Sequence, residues 1–344
     1  MLRIQIEMPG ILTTVQDQGR AGYMEYGVRT GGVMDKQSCR LANALVGNKE
    51  SAAVLEMTLM GITAVLEGEG TVAFTGAEMG ACVDGIPVER YQAVSVKGKK
   101  RLTMGMAKTG CRGYLAVSGG IDVPLVMGSR STDVKCSLGG LDGRPLKAGD
   151  ELNSGADYAD DAEFAVLQKK ISALPRLVKF DTAPTVRVVE GPQADWFSEE
   201  AKSRFYASEY KVSGESDRMG MRLEGESVES LHGVDIVSDG IAFGSIQIPK
   251  NGKPIVMMAD HQTIGGYAKL GTVCSFDLPK LAQLKPGDSV HFEKISVEKA
   301  QFLLQNPQEQ ERSAELVFRS RAEGGKEGRR HRFQKYNYYY RHGC

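Results

Sequence analysis

The sequence has few of the residues that build metal sites and none of the common catalytic signatures. Its 344 residues include five histidines and six cysteines, with no CxxC pair and no HExxH motif, so we expect no metal on this chain. A GxxxxGK(S/T) loop, a GxGxxG loop opening a βαβ unit and a GxSxG nucleophile elbow are all absent. Any nucleotide chemistry would therefore have its main site on a partner.

Net charge, membrane-length apolar runs and export signals are missing as well. Lys plus Arg and Asp plus Glu each number 43. Eight of those basic residues but two of the acidic ones lie in residues 319–344, so residues 1–318 are mildly acidic and nucleic acid is not an expected partner. No apolar run approaches the roughly 18 residues of a membrane span. Because the opening MLRIQIEMPG does not resemble a signal peptide, we expect reduced cysteines and a cytoplasmic protein.

Glycine, in contrast, is abundant and scattered. There are 41 glycines, about 12% of the chain against a usual level of roughly 7%. Scattered glycines indicate many tight turns, and short apolar runs such as Thr71–Thr75 and Tyr114–Val117 lie between them, as in a barrel or sandwich. Helices are predicted at about Asp35–Leu45, Ala194–Ala207 and Val297–Gln305. The predicted fold class is mainly β with a few helices.

The strand pattern weakens between about residues 154 and 183, which divides the chain into two units. A faint internal echo supports the division, because Tyr114–Pro124 and Ile255–Tyr267 both place an apolar strand before a glycine-rich polar turn. We predict one domain over residues 1–170 and a second over 171–318. The basic, tyrosine-rich tail of residues 319–344 is predicted to be a disordered extension, and stacking on single-stranded nucleic acid is the alternative.

Two polar segments of the first unit contain an arginine beside small or acidic residues. Asp17 and Arg20 stand among glycines, where they either clamp a loop through an ion pair or hold a carboxylate substrate. Arg130 and Ser131 lie in the run GSRST, which suits carboxylate or phosphate binding, or forms a turn with one surface arginine.

A glycine loop leads into the first predicted helix. The segment Gly27–Asp35 would present free backbone N–H groups at the helix N-terminus, a position suited to an anion or a carbonyl oxygen. Asp35 is either a participant in such a site or a plain N-cap. Asn43, two turns further, is either a ligand contact or a buried structural amide.

Further polar residues of the second unit follow its predicted strands. Asp260, His261 and Gln262 lie at the end of an apolar strand, where loops are exposed and function is common. His261 is either a binding or proton-transfer residue or a structural histidine. The other residues of interest in this unit are Asp217, Arg218, Ser238, Asp239, Gln247 and Tyr267.

Taken in order, these segments resemble the carboxyltransferase-like family with two subdomains. The motifs TTVQD-x-GR, GG-x-MD, LAN-x-LVGN, GGID-x-P, GSRST, SDGI-x-x-GSIQ-x-P and ADHQT-x-GGY all occur in family order, and the resemblance covers about residues 3–295. The family includes the C subunit of 5-oxoprolinase, the antagonist of the Kip kinase inhibitor and the carboxyltransferase domain of urea carboxylase.

The resemblance implies a fold, partners and a reaction. The fold would be two tandem cyclophilin-like β-barrel units. The partners would be the A subunit of 5-oxoprolinase and its Kip-inhibitor-like B subunit. Together with this chain they would open 5-oxo-L-proline to L-glutamate with ATP, the nucleotide being bound mainly by a partner. By analogy, the matched polar residues would line the cleft between the units or against the B subunit. We expect catalysis from Asp35, Asp260 and His261, substrate binding from Arg20, Asn43, Arg130, Ser131, Gln247, Gln262 and Tyr267, and loop-fixing roles from Asp17, Asp217, Arg218, Ser238 and Asp239.

Two other functions fit the same resemblance. One is a biotin-dependent carboxyltransferase acting on urea or a similar amide, but this chain has no AMKM biotin-carrier segment, so biotin would need a separate partner. The other is a non-enzymatic antagonist that sequesters a Kip-type inhibitor of a histidine kinase. In the enzymatic reading, the isolated chain is expected to be inactive.

Overall fold

A computed structural model describes residues 1–160 and 180–306, which form two strand-rich units. The first unit contains ten strands, namely β1 Leu2–Met8, β2 Leu12–Gln16, β3 Val54–Thr58, β4 Thr63–Gly76, β5 Cys82–Val83, β6 Ile86–Pro87, β7 Ala93–Thr103, β8 Arg112–Val117, β9 Ile121–Asp122 and β10 Glu151–Ser154. The second contains β11 Thr185–Glu190, β12 Glu209–Val212, β13 Gly220–Glu224, β14 Asp235–Gly240, β15 Ser245–Gln247, β16 Ile255–Met257, β17 Ile264–Tyr267, β18 Lys269–Val273 and β19 Ser289–Lys294. The prediction of a mainly β fold is confirmed.

The first unit is one antiparallel ten-stranded sheet that curls around an apolar core. Its strands follow the order β2-β3-β8-β4-β1-β10-β9, and β7 extends the sheet from β4 to the small β5–β6 hairpin. Alternation along β1 shows why this sequence forms a half-buried strand: Leu2, Ile4 and Ile6 are buried while the residues between them are exposed. Ile4 pairs with Leu66 of β4 and Leu152 of β10, so apolar residues from three strands meet.

The second unit is a closed barrel in the order β11-β18-β15-β16-β13-β12-β19. Its first and last strands close it as a parallel pair, with Thr185 opposite His291. Inside, the rings of Phe205 and Phe292 stack with centroids 4.7 Å apart. Strands β14 and β17 stand apart from the barrel as a two-stranded ribbon. The expected pair of barrel-like units is therefore confirmed.

Four α-helices occur in the described part of the chain: α1 Lys36–Leu45, α2 Glu199–Ala207, α3 Leu278–Ala282 and α4 Val297–Gln305. Helices α1 and α4 confirm two of the three predictions. The third prediction was wrong in one respect, because Ala194–Trp196 forms a short 3-10 helix and buried Phe197 is extended before α2 begins. Ser198 then caps α2, its Oγ accepting a 3.1 Å hydrogen bond from the N–H of Ala201.

Some expectations fall on parts of the chain that the structure does not describe. The predicted domain boundary at residue 170 and the tail of residues 319–344 both lie outside the described residues. Within residues 1–160 and 180–306, no helix is long and apolar enough to cross a membrane.

Candidate functional site between the two units

Two loops of the first unit pack against each other through their backbones, next to the second unit. The N–H of Val33 donates to the carbonyl oxygen of Asp17 over 2.9 Å. Gly19 and Gly32 have φ values of +92° and +90°, and a Cβ on Gly32 would lie 2.8 Å from the nitrogen of Gly19. Glycine is required here by both conformation and space, which explains the glycines of the TTVQD-x-GR and GG-x-MD segments.

The Asp17 carboxylate holds the first of these loops against the GSRST segment. Its Oδ1 accepts hydrogen bonds from the N–H of Gly19 at 2.8 Å and from the hydroxyls of Ser129 and Ser131 at 2.6 Å each. Its Oδ2 accepts the N–H of Arg130 at 2.5 Å. Both oxygens and the Ser131 hydroxyl are therefore engaged in fixing the loops.

Two residues predicted to bind substrate are engaged inside the first unit. The Arg130 guanidinium donates from Nε to the carbonyl of Val123 at 3.0 Å and pairs through Nη1 with Asp157 at 3.1 Å. Asn43 is fully buried, and its Nδ2 donates to the carbonyl of Ala52 at 2.8 Å. Neither side chain contacts a residue of the second unit in these hydrogen bonds.

The glycine loop contacts the second unit through Met34 and Asp35. The Met34 side chain packs in the apolar core of the second barrel. Asp35 caps α1 through the N–H of Ser38 at 2.9 Å, and its Oδ2 accepts from Nε2 of Gln283, just after α3, at 2.8 Å. Burial raises the pKa of Asp35, although hydrogen bonds from Ser38 and Gln283 oppose the shift. Asp35 thus joins a helix cap to a contact between the units.

A buried carboxylate–arginine–carboxylate cluster forms the centre of the seam between the units. Arg218, in the second unit, donates to both oxygens of Asp260 at 2.8 and 2.9 Å and to the carbonyl of Gly32 at 2.6 Å. Its Nη1 also pairs with Glu56 on β3 of the first unit, and Glu56 accepts the hydroxyl of Tyr114 at 2.9 Å. Burial alone would lower the Arg218 pKa, but the Asp260 and Glu56 charges outweigh it and raise the pKa.

His261 follows directly in the same turn. Its Nδ1 lies 2.8 Å from the carbonyl oxygen of Gln262. Since a carbonyl can only accept, Nδ1 carries the proton and the lone pair of the neutral ring is on Nε2. Burial lowers the pKa of His261, which the Gln262 hydrogen bond and the Asp260 charge partly oppose. A neutral imidazole with a basic Nε2 is the protonation state of a general base.

Arg20 lies on the first-unit side of Asp260. Its side chain is almost completely buried, and Nη2 donates to the carbonyl of Ser131. Its Nε and Nη1 are enclosed but make no hydrogen bond to the described residues. A Cβ on Gly31 would lie 3.9 Å from Arg20 Nη1 and 3.5 Å from Asp260 Oδ1, so the guanidinium edge lies beside this carboxylate. Burial lowers the pKa of Arg20.

Two glutamines lie beyond His261, on either side of Gly265. Gln247 ends β15 and is 2% exposed, and Gln262 is half-buried. A Cβ on Gly265 would lie 2.8 Å from Nε2 of Gln247 and 3.4 Å from Nε2 of Gln262. It would also lie 2.4 Å from Cδ1 of Ile241, so Gly265 lets both amides and this isoleucine pack closely against its backbone.

The ribbon of β14 and β17 carries three more residues of interest. Asp239 forms an ion pair with Lys269 of the barrel, which ties the ribbon down. Ser238 is exposed, and Tyr267 is 38% exposed. The structure places these side chains at the surface beside Gly265 and Gly266 rather than in the buried cluster.

Asp217 makes a second, exposed contact between the units. Its Oδ2 pairs with Nζ of Lys135 in the first unit at 3.2 Å. Its Oδ1 accepts the N–H groups of Met219 and Gly220 at 2.8 and 3.1 Å, which orders the turn that presents Arg218.

Sequence reasoning missed Glu56, Arg29 and Gln283. Glu56 is a lone carboxylate in the otherwise apolar run Ala52–Met57, and such a buried charge signals a paired partner. Arg29, which faces Asp133 at 3.5 Å, and Gln283 carry no comparable signal in sequence.

No group of three or more His, Cys, Asp or Glu side chains within the described ranges is arranged to hold a metal ion. What the seam offers is a neutral imidazole, a buried arginine with unused N–H groups and two amides. These groups suit the binding and proton transfer of a small polar molecule.

The fold and the seam define a two-unit β protein with its polar site at the junction of the units. The chain belongs to the family of the carboxyltransferase domain, subdomain A and B, whose model matches residues 26–294. The predicted family is thereby confirmed.

Named relatives are similar over most of the chain. The C subunit of the 5-oxoprolinase of Escherichia coli is 38% identical over 314 residues, which cover 91% of this chain and 97% of that protein. Its counterpart, the C subunit of the 5-oxoprolinase of Haemophilus influenzae, is 35% identical over 287 residues, covering 83% and 89%. The crystal structure of the Kluyveromyces lactis urea carboxylase has a TM-score of 0.80 at 31% identity and covers 88% of this chain, which spans 28% of that larger chain.

Proposed function

We propose that this chain is the C subunit of a 5-oxoprolinase, a hydrolase that acts on a cyclic amide. The observation that carries the proposal is the 38% identity with the E. coli protein over nearly its whole length. The proposed reaction converts 5-oxo-L-proline, ATP and two waters into L-glutamate, ADP and phosphate. The proposed partners are the A subunit of the enzyme and its Kip-inhibitor-like B subunit, and the isolated chain is inactive.

The chemistry explains why a partner is needed. An unactivated lactam resists water. Transfer of the ATP phosphoryl group to the amide oxygen releases ADP and activates the ring carbon, so that one water adds there and the C–N bond breaks, and a second water then releases phosphate from the resulting acyl phosphate. We place the ATP site mainly on a partner, because this chain contains neither of the common phosphate-binding loops. The contribution of this chain is to bind the lactam, to place a base beside it and to stabilise developing charge with oriented donors.

His261 is the proposed base of this chain. Its Nδ1–H is held by the Gln262 carbonyl at 2.8 Å, so Nε2 is free to take a proton from the attacking water. Both carboxylate oxygens of Asp260 accept hydrogen bonds from Arg218, one from Nε and one from Nη2, so Asp260 orients the turn rather than moving a proton itself.

Arg20 is the proposed partner of the substrate carboxylate. Its Nη1 has no hydrogen bond to the described residues, and Nη1 forms with the second N–H of Nη2 an edge on which one carboxylate can accept two N–H groups. Arg130, which sequence reasoning proposed for the same task, already uses its guanidinium for Val123 and Asp157.

The deciding experiment measures ATP-dependent glutamate release from 5-oxo-L-proline with this chain and its two purified partner proteins, and with each of the three omitted in turn. We expect release only from the complete mixture. His261→Ala should lose activity while keeping the fold and the binding to both partners, whereas the exposed His232→Ala should keep full activity. Full activity in folded His261→Ala would contradict the assignment of His261 as the base.

A second function is favoured by the similarity to urea carboxylase at a TM-score of 0.80. In that case the chain would transfer a carboxyl group between biotin on a separate carrier and urea or a similar amide. Bicarbonate- and biotin-dependent turnover in place of glutamate release would support it. If the complete mixture shows neither reaction and the chain binds the B subunit tightly, the chain would instead be an antagonist of a Kip-type inhibitor.

We also propose a cytoplasmic location for the complex. The geometry of the five cysteines in the described ranges, which form no disulfide, supports this proposal. Fractionation of cells that express the chain with its partners tests the location directly.

A further inference from the structure

Two side-chain amides at the seam have no hydrogen-bond partner among the described residues. Gln247 Nε2 and Gln262 Oε1 are each shielded from solvent and make no hydrogen bond there. Gln247 is 2% exposed as a residue, so its donor cannot be satisfied by bulk water. Buried amide groups are normally hydrogen-bonded, and leaving two of them without partners costs free energy unless a ligand binds them.

The two unpaired side-chain amides lie close to each other and are complementary. Both amides flank the position where a side chain at residue 265 would stand, at 2.8 and 3.4 Å from their nitrogens. The unpaired atom of Gln247 is a donor and that of Gln262 is an acceptor. The complementarity holds for the amides as the structure places them, since turning over either one alone would leave two donors or two acceptors.

We propose that Gln247 and Gln262 together bind the lactam edge of the substrate, an inference that rests on the proposed function. Gln247 Nε2 donates to the ring carbonyl oxygen, and Gln262 Oε1 accepts the ring N–H. The same contact orients the carbonyl carbon towards the water that His261 deprotonates, because Gln262 also fixes the His261 tautomer through its carbonyl.

This assignment separates two kinds of recognition. A donor–acceptor pair matches any cis-amide edge, urea included, so it selects the amide class and not the individual substrate. The carboxylate contact of Arg20 then selects 5-oxoproline. A site built to bond an N–H strongly rejects an analogue that lacks it, because its own polar group is left unpaired.

The test uses the complete complex of all three proteins and the lactone analogue of 5-oxoproline, in which a ring oxygen replaces the N–H. The inhibition constant of the lactone is compared with the Michaelis constant for the natural lactam. In the wild type we expect the lactone to bind at least about ten-fold more weakly, and in Gln262→Met we expect the two values to converge to within about three-fold. Gln247→Met should raise the Michaelis constant for the lactam and the inhibition constant of the lactone by about ten-fold each. The ratio of the two constants should stay the same, because lactam and lactone share the carbonyl.

Gln193→Met is the matched control, because this half-buried glutamine of the same unit already accepts the N–H of Lys269 at 3.1 Å. It should leave the Michaelis constant and the lactone ratio unchanged. Thermal midpoints and co-purification with the B subunit show whether each variant is folded. An active wild type with folded Gln262→Met retaining the full lactone discrimination overturns the inference. A wild-type complex that releases no glutamate overturns the proposed function and this inference with it.

Discussion

Removing the Arg218 guanidinium should destabilise the protein far more than removing an arginine from a surface pair. Arg218 bonds Glu56 of the first unit and Asp260 of the second at the same time. Arg218→Met keeps much of the side-chain length but leaves two carboxylates enclosed, at 1% and 7% exposure, without this partner. The carbonyl of Gly32 also loses its 2.6 Å donor.

The expected loss is about 3–5 kcal/mol, the usual cost of breaking a buried ion pair by removing one partner. Arg144 offers a matched control, because it contacts Asp150 with two hydrogen bonds of 2.7 and 2.9 Å but is 28% exposed and stays within one unit. Arg144→Met should cost about 1 kcal/mol or less, as exposed pairs do.

Urea unfolding followed by circular dichroism measures both values at pH 7 and again at pH 5. Without Arg218 the buried carboxylates should have raised pKa values, so the folded variant binds more protons than the unfolded chain and gains stability as the pH falls. The gap between wild type and Arg218→Met should therefore narrow at pH 5. A loss below about 1 kcal/mol, or a gap that stays constant with pH, would show that the cluster is not held by buried charge.

Three further predictions test the loops and the site. Arg20→Met should raise the KM for 5-oxoproline by about ten-fold or more while leaving that for 2-pyrrolidinone, which has no carboxylate, unchanged, and Arg130→Met should not discriminate between them. Burial lowers the pKa of His261 below its usual 6.5, so kcat/KM should persist as the pH falls through 6.5 and decline only at lower pH. The unfolded chain takes up this proton first, so the free energy of unfolding should also decrease below pH 6.5. An acid limb of the kcat/KM profile above pH 6.5 would contradict this prediction. Gly32→Ala should cost about 2 kcal/mol or more in urea unfolding, because φ is +90° and its Cβ meets backbone, whereas Gly22→Ala, at φ +91° with open space, should cost about 1 kcal/mol.

The parts of the site that sequence predicts are those with a local cause. Asp35 before an amphipathic segment signals a helix cap, and the structure shows it capping α1. The glycines around Asp17 indicate tight loops because positive φ is a property of one residue. Asp260 and His261 are adjacent in sequence, so their sharing of one turn follows directly.

The parts that sequence did not predict depend on distant contacts. Glu56 and Arg218 are 162 residues apart, and no periodicity links a lone carboxylate on a strand with an arginine in a later turn. The break before α2 has a similar origin, because Phe197 leaves the helical conformation to be buried in the second barrel core. Ser198 followed by two glutamates was a local capping signal for the true start of that helix.

The polar groups of the seam fall into two classes, and the difference assigns their roles. Asp35 and Asp260 accept hydrogen bonds on both carboxylate oxygens, from groups that cap a helix or join the two units. Arg20, Gln247 and Nε2 of His261 keep N–H groups or a lone pair that no hydrogen bond within the described residues uses. We infer that the two engaged carboxylates fix the two units in register. Substrate contact and proton transfer then fall to the residues that the fold leaves unpaired.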